Sequence, residues 1–252
     1  EVLLGGLGDS HIEVTVEKMK RKFGVDVALK EPKVPYKETI SVATKVEYRH
    51  KKQTGGHGQF AHVWLEVEPK ARGSGFEFAA KVVGGSVPKE YIPSVQKGCL
   101  KAMDEGVIAG YPVVDVKATL VDGSFHPVDS SGVSFEIAGS HAIRDGIREA
   151  NPMLLEPIMR ARIMVPESDA GDVMGDMNIK RARILGMIPA EGGATTIEVE
   201  VPQAEMLRYA TELRSLTQGR GSFAIEFERH EEVPGHMVNR IVSQLQEARA
   251  GA

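Results

Sequence analysis

The stretch V113-V-D-V-K-A-T-L-V-D-G-S-F-H-P-V-D-S-S-G-V-S-F-E-I-A-G-S-H-A-I-R-D-G-I-R-E149 decides how the chain is read. Its first part alternates like a strand, with Val114, Val116, Ala118 and Leu120 on one face. Its last part repeats like a helix, with Val133, Ile137, Ala138, Ala142, Ile143 and Ile147 as the apolar stripe. Between them, D122-GSFHPVDSS131 has the Gly, Pro, Asp and Ser content of a projecting turn, with Phe125 and His126 at its middle. A second polar loop, K51-KQTGGHG58, falls between two further strand-like runs and carries Lys51, Lys52 and His57. Two such loops on firm elements suit contact with one polyanion.

Working outward, strands are expected at 39–49, 60–68, 76–83 and 113–121, and helices near 88–106 and 131–149. Ala71–Phe76 reads as a hairpin turn. N151-P and E156-P mark a boundary. The order β (157–165), α (169–181), β (183–190), β (195–201), α (203–217), β (222–230) then follows, a ferredoxin-like signature. A last helix after Pro234 carries Met237, Ile241, Val242 and Leu245. At the start, Val2–Leu4 and Val25, Val27 and Leu29 read as strands around a helix capped by Asp9 or Ser10. Ile12, Val16, Met19 and Phe23 form its stripe, and Gly24 stops it. A βαβ of about thirty residues cannot close its own core, so this segment reads as cut from something larger.

The fold class is therefore α+β, in three parts: 1–36, 37–154 and 155–252. The 252 residues suffice for about two domains of roughly 100–150 residues. No run approaches a membrane span and no secretory signal opens the chain, which together with a single cysteine points to the cytoplasm. Cys99, within an apolar helical run, reads as a core residue. The net charge of −4 argues against a generic nucleic-acid binder. Residues 1–39 hold 7 basic and 7 acidic side chains, 40–155 hold 13 and 13, and 156–252 hold 11 and 15. Any RNA contact must come from local basic loops.

Several motifs fall away. No G-x-x-x-x-G-K-[ST] phosphate loop occurs, so the chain cannot bind GTP by that route. G5-GLG8 lacks the third glycine of a dinucleotide loop, and Gly55 with Gly58 lies between strands, where an RNA-clamping GxxG joins helices. His57 and His62 lack the spacing and companions of a metal site. His126 with Asp129 has the make-up of a base with its orienting carboxylate, but no nucleophile accompanies them. Asp129 reads as a loop-stabilising acceptor of a backbone N–H.

G123-SFHPVDSSGVSFEIA138, T54-GGHGQFAHVWLEVEP69, L213-RSLTQGRGSF223 and E231-EVPGHMV238 resemble the C-terminal half of bacterial elongation factor G, the translocation GTPase of the ribosome. The resemblance runs colinearly along the chain. It extends to ribosome-protecting tetracycline-resistance proteins and recycling-type paralogues. G6-LGDSHIEV14 and F23-GVDVALKEPKVPYKETI40 are similar to the end of that family's third domain. The resemblance implies a partial ferredoxin-like βαβ (1–36), a fold like the second domain of ribosomal protein S5 (37–154) and a ferredoxin-like βαββαβ domain with a C-terminal helix (155–252).

It also implies a role. The loop tips would enter the small-subunit decoding region beside the tRNA–mRNA duplex, through Lys51, Lys52, Gln53, His57, Gln59, Phe125, His126 and Asp129. Arg214, Gln218, Arg220, Lys180 and Arg181 would face large-subunit rRNA, although cations at 180–183 equally suit the end of a helix. His57 stands where the family pattern has arginine, and Ile179 and Ala182 stand where it has a small polar residue and a glycine. No catalytic residue, cofactor or metal is implied within this chain, which would act as a monomer. GTP and magnesium would belong to domains preceding it. A recycling or tetracycline-protection paralogue, a stand-alone RNA-binding module and a purely structural module are the alternatives.

Overall fold

The computed structural model describes residues 2–6, 8–53 and 58–250, without the side chains of residues 9, 10 and 244–250. The chain forms two compact units. One comprises residues 1–35 and 156–231, the other 36–155 and 232–252.

In the second unit, strands β1 (Lys37–Ile40), β2 (Thr44–Lys52), β3 (Gln59–Pro69), β4 (Phe76–Ala80) and β5 (Val116–Ser124) precede or bracket helices α2 (Ile92–Glu105) and α3 (Gly132–Glu149). Four of the strands form a sheet in the order β2-β3-β5-β4, with β4 and β5 parallel and the other pairs antiparallel. The hairpin expected at Ala71–Phe76 is therefore not one: β4 lies beside β5, and β3 pairs with β2 and β5 instead. One expected strand, 39–49, is two, since residues 41–43 break it.

Alternating Ala61, Val63, Leu65 and Val67 of β3 and Val116, Ala118 and Leu120 of β5 are all buried, facing Val95, Cys99 and Ala102 of α2 and Phe135, Ala138, Ala142, Ile143 and Ile147 of α3. The helices approach closely where side chains are absent. A Cβ on Gly98 would lie 2.0 Å from the Glu136 carbonyl oxygen, and one on Gly139 would lie 2.7 Å from that of Val95.

Two details of the opening stretch are corrected. Asp115 has φ 60°, which interrupts the alternation before β5. Val113, not Val114, consequently turns to the core. The stripe of α3 is rotated towards Phe135, which stacks on Tyr91 at 4.7 Å, while Val133 is exposed. Ser131 is its N-cap, accepting the Ser134 N–H.

Glu38 holds this unit's framework. Its side chain is fully buried in β1, and its carboxylate accepts five backbone N–H groups. Val107 and Ile108 donate to Oε2 at 2.6 and 2.9 Å, and Ala109, Gly110 and Tyr111 donate to Oε1 at 2.8, 2.8 and 3.0 Å. Successive backbone N–H groups converging on one anion form a nest.

In the first unit, β6 (Pro152–Pro166), α4 (Ala170–Ile179), β7 (Arg183–Ala190), β8 (Ala194–Pro202), α5 (Tyr209–Leu216) and β9 (Ser222–Glu232) follow in sequence. The strand order β9-β6-β8-β7 is that of a ferredoxin-like sheet. Residues 158–166 of β6 pair with β8, while residues 152–155, in the other unit, pair with β1. Ala161, Ile163 and Val165 of β6 and Ile197, Val199 and Val201 of β8 pack with Val173, Met177, Tyr209 and Leu213. The last helix, α6 (Gly235–Ala250), belongs to the second unit and buries Ile241.

The opening segment departs from expectation. Helix α1 (Asp9–Phe23) forms, with Gly8 rather than Asp9 or Ser10 as its N-cap and Gly24 at φ 68° as its C-cap. Residues 2–6 and 24–36 form no strand. Val2, Leu3, Val25 and Leu29 are exposed, and so is Phe23 of the expected stripe. Strands need neighbours to take up their N–H and C=O groups, and among the described residues no strand pairs with these runs. Among the described residues no helix is long and apolar enough to cross a membrane.

Replacing Glu38 by Ala leaves five N–H groups without their acceptor. A loss of about 3 kcal/mol in unfolding free energy is expected, from unsatisfied donors at roughly 1–3 kcal/mol each with partial relief by water. Denaturant titration followed by the fluorescence of Trp64, the sole tryptophan, checks this. The buried Cys99 thiol, pushed up to about 12 by burial, should react with a thiol reagent only on unfolding.

Candidate RNA-facing loops

The turn 125–131 and the hairpin joining β2 to β3 are fastened to each other. The Phe60 N–H donates to the Asp129 carbonyl at 2.9 Å, and the Gly58 N–H donates to Asp129 Oδ1 at 3.0 Å. Ser130 Oγ donates to the Phe60 carbonyl at 2.8 Å and accepts the His126 N–H at 2.9 Å. Asp129 thus has the loop-stabilising role expected of it. Phe60 and His126 make a T-shaped ring contact at 6.4 Å between centroids, and the Arg49 guanidinium lies 5.2 Å over Phe60.

His126 is half exposed, and its Nδ1 accepts the N–H groups of Val128 and Asp129 at 3.3 and 3.2 Å. Asp129 Oδ2 lies 3.3 Å from the same nitrogen. Phe125 and Val128 are exposed beside it, at 42% and 64%. Lys51 and Lys52 end β2 and, like Gln53, are exposed. Gln59 begins β3 opposite Lys52, its Oε1 2.9 Å from His50 Nε2. His57 lies outside the described residues.

Residues 48–65 contain Arg49, Lys51 and Lys52 and no carboxylate. Further along the hairpin Lys45 pairs with Glu66 at 3.1 Å, and beyond it Lys70 and, in β5, Lys117 pair with Glu77 of β4 at 3.0 and 3.5 Å. Positive charge in the hairpin is therefore concentrated towards the loops. His62 is bonded to Glu47 at 3.0 Å, and among the described residues no group of His, Cys, Asp and Glu is arranged to hold a metal ion.

The second expected set, in the first unit, divides. Lys180 is nearly buried and contacts Glu212 at 2.6 Å and Asp176 at 3.9 Å. Arg181, at φ 59°, bonds both Glu156 oxygens at 2.7 and 2.9 Å and Glu205 at 3.2 Å. The Glu156 hydrogen bonds raise the guanidinium above its usual range. These two cations bind carboxylates of their own unit, which neither the rRNA reading nor a simple helix-end role anticipates.

Arg214, Gln218 and Arg220 are exposed around the turn after α5. Arg220 bonds Asp169 at 3.1 Å, and the Arg214 guanidinium lies against Gly8, where an added Cβ would be 2.4 Å from Nη2. Gln218, at φ 53°, projects from a turn that buried Thr217 builds by donating to the Leu213 carbonyl and accepting the Gly221 N–H. Sequence reading passed over Ser130, Phe60, Arg49 and Thr217. A Ser beside Asp in a turn was the available signal for the first.

A sheet-and-two-helix unit with two loops fastened at its tip, together with a ferredoxin-like unit, defines an α+β protein. The family model described as "Elongation factor G, domain IV" matches residues 32–151, "Elongation factor G C-terminus" matches 153–241, and "Elongation Factor G, domain III" matches 1–31. The chain belongs to the elongation factor G family. An elongation factor G-like protein of Thermotoga maritima is 49% identical over 244 residues, 97% of this chain and 36% of that protein. A crystal structure from Thermus thermophilus superposes with a TM-score of 0.81 at 41% identity, covering 95% of this chain and 36% of the other. The chain thus spans about a third of the length of these relatives.

Across the first unit's sheet, Glu200 accepts from Arg183 at 2.5 Å and Arg229 at 2.6 Å. Arg229, then Arg183, hold its carboxyl at about 2, against an ordinary 4.5. A folded pKa below the unfolded one contributes stability above the unfolded value, lost as pH falls through the folded one. Thermal melting should therefore show stability falling from about pH 4.5 towards about 2, and E200Q should flatten that fall.

Proposed function

We propose that this chain is the ribosome-engaging part of a translational GTPase of elongation factor G type, and that its double tip contacts RNA at the small-subunit decoding region. The observation that carries this reading is the tip itself: two loops fastened through Asp129 and Ser130, with Lys51, Lys52 and His126 exposed and no carboxylate in residues 48–65. Ammonium and imidazole groups of this kind bond phosphate and 2′-hydroxyl oxygens without reading sequence. The tip would follow the tRNA–mRNA duplex and sterically block its return. Rigidity is what that action requires, and the cross-loop bonds supply it.

Around the turn 217–221, Arg214, Gln218 and Arg220 are the part of the second set most available to large-subunit rRNA. Lys180 and Arg181 contribute there by shaping the unit. Domain bounds of 1–36, 37–154 and 155–252 accompany this reading. The chain contains no phosphate-binding loop, so its residues do not fit GTP, and nucleotide hydrolysis is assigned to a different part of such a factor. A cytoplasmic monomer suits the role.

A paralogue's task is the second reading, favoured by His57 in place of the expected arginine, since imidazole lacks the guanidinium fork. In a complete protein, translocation and subunit-splitting assays separate the two.

Co-sedimentation of the chain with purified bacterial ribosomes tests the proposal. Binding should weaken as salt rises, and Lys51→Ala with Lys52→Ala should reduce the salt slope by about two, one for each phosphate no longer neutralised. Absence of any ribosome binding at low salt would overturn the reading. Equal binding to naked RNA would favour a stand-alone RNA-binding module.

A further inference from the structure

Which nitrogen of the His126 imidazole carries the hydrogen is decided by what its ring faces. The N–H groups of Val128 and Asp129 both point at Nδ1, at 3.3 and 3.2 Å. A ring nitrogen that accepts carries no proton, so the neutral imidazole bears its hydrogen on Nε2. A rival arrangement exists, in which Nδ1–H donates to Asp129 Oδ2 at 3.3 Å. It would aim three hydrogens at one another, those of Nδ1, Val128 N and Asp129 N. It would also leave both backbone N–H groups without their acceptor, so the backbone geometry favours the Nε2–H form.

The two N–H groups are delivered by the loop fastening. Ser130 Oγ takes the His126 N–H while donating to Phe60 O, and the Ser130 N–H donates to the His126 carbonyl at 3.1 Å, closing the turn. Asp129 is held at both ends, by Gly58 N–H on its side chain and by Phe60 N–H on its carbonyl. Phe60 walls the ring on another side.

We propose that Asp129 and Ser130 are positioning residues that hold His126 as the Nε2–H tautomer, so that the tip offers the Nε2–H as a hydrogen-bond donor to an oxygen acceptor of RNA, a phosphate oxygen or a 2′-hydroxyl. This rests on the RNA-contact reading of the tip for its ligand, and on the bonds above for its tautomer. It divides labour within the tip: Lys51 and Lys52 supply charge, and His126 supplies one directed bond whose strength depends little on salt.

Long-range ¹H–¹⁵N correlation of the imidazoles in the ¹⁵N-histidine-labelled chain reads the tautomer directly, with the His126 signals assigned from the spectrum of H126Q. At neutral pH His126 should show a protonated Nε2 and an unprotonated Nδ1. D129N keeps an acceptor for Gly58 and should leave that tautomer in place. S130A should give a mixture of tautomers while the amide spectrum away from the tip stays unchanged. A wild-type Nδ1–H, or a tautomer that changes in D129N, would overturn the positioning proposal whether or not ribosomes bind.

The ligand half is read by ribosome co-sedimentation. Gln places an amide N–H near the position of Nε2, and Asn near that of Nδ1. H126Q should bind close to wild type and H126N about tenfold more weakly, the worth of one directed bond. Equal binding by H126Q and H126N overturns the assignment of the Nε2 donor. If the wild-type chain does not bind ribosomes at all, the functional reading fails and the tautomer result stands by itself.

Discussion

The Glu38 carboxylate, buried among the N–H groups of residues 107–111, is the constraint from which the second unit is built. A charge removed from water is tolerable only when its lone pairs are taken up, and five donors do so here. The backbone beside it is used too: Glu38 N–H donates to Pro112 O, and Val114 N–H donates to Glu38 O, at 2.9 and 2.8 Å. These bonds tie the loop leaving α2 to β1 on its way into β5. β5 then runs along β3 in a register that brings Ser124 opposite His62. The turn that follows thereby arrives at Phe60 and Gly58, where Asp129 and Ser130 fasten it. A buried ion near one end of the sheet and the exposed imidazole beyond β5 are thus linked by strand register.

Much of this was legible in the residues. Alternation on β3 and β5, the polar turn between β5 and α3, and the βαββαβ order of the first unit are local patterns whose period survives folding. Ferredoxin-like order follows once the strands are counted, because few arrangements of βαββαβ bury two helices on one face. The position of β4 was not legible. Ala71–Phe76 has the composition of a tight hairpin turn, and nothing local tells such a turn from one that carries the chain across β5 to pair in parallel on its far side. Asp115 shows the same limit at one residue. Its left-handed backbone transfers the buried position from Val114 to Val113, and a strict period of two cannot anticipate it.

Charged residues were the least legible. A lysine or arginine in a loop reads alike whether it awaits a phosphate or has a carboxylate partner far off in sequence. Glu156 lies 25 positions from Arg181 and Glu212 lies 32 from Lys180, in a unit whose acidic side chains outnumber its basic ones. Those partners appear only on folding. The cations of 49–52 differ because their neighbourhood, residues 48–65, contains no carboxylate, and that was already visible in the sequence.

The opening segment makes the complementary argument. Its helix forms and is capped by Gly24, because those signals act within a few residues. Its apolar runs do not become strands, although Val25, Val27 and Leu29 alternate as well as many that do. Alternation specifies which face a strand would bury and supplies neither the partner nor the layer to bury it against. With Val2, Leu3 and Leu29 exposed, the segment retains its helix and forms no strand in residues 2–6 and 24–36. The tip is the opposite case. The turn 125–131, with little apolar content, leaves β5 and is held by the 58–60 backbone on its other side. Order in a loop and order in a strand therefore have one source here, backbone hydrogen bonds to a neighbour distant in sequence, and the tip proposed to face RNA is ordered where the fold provides them.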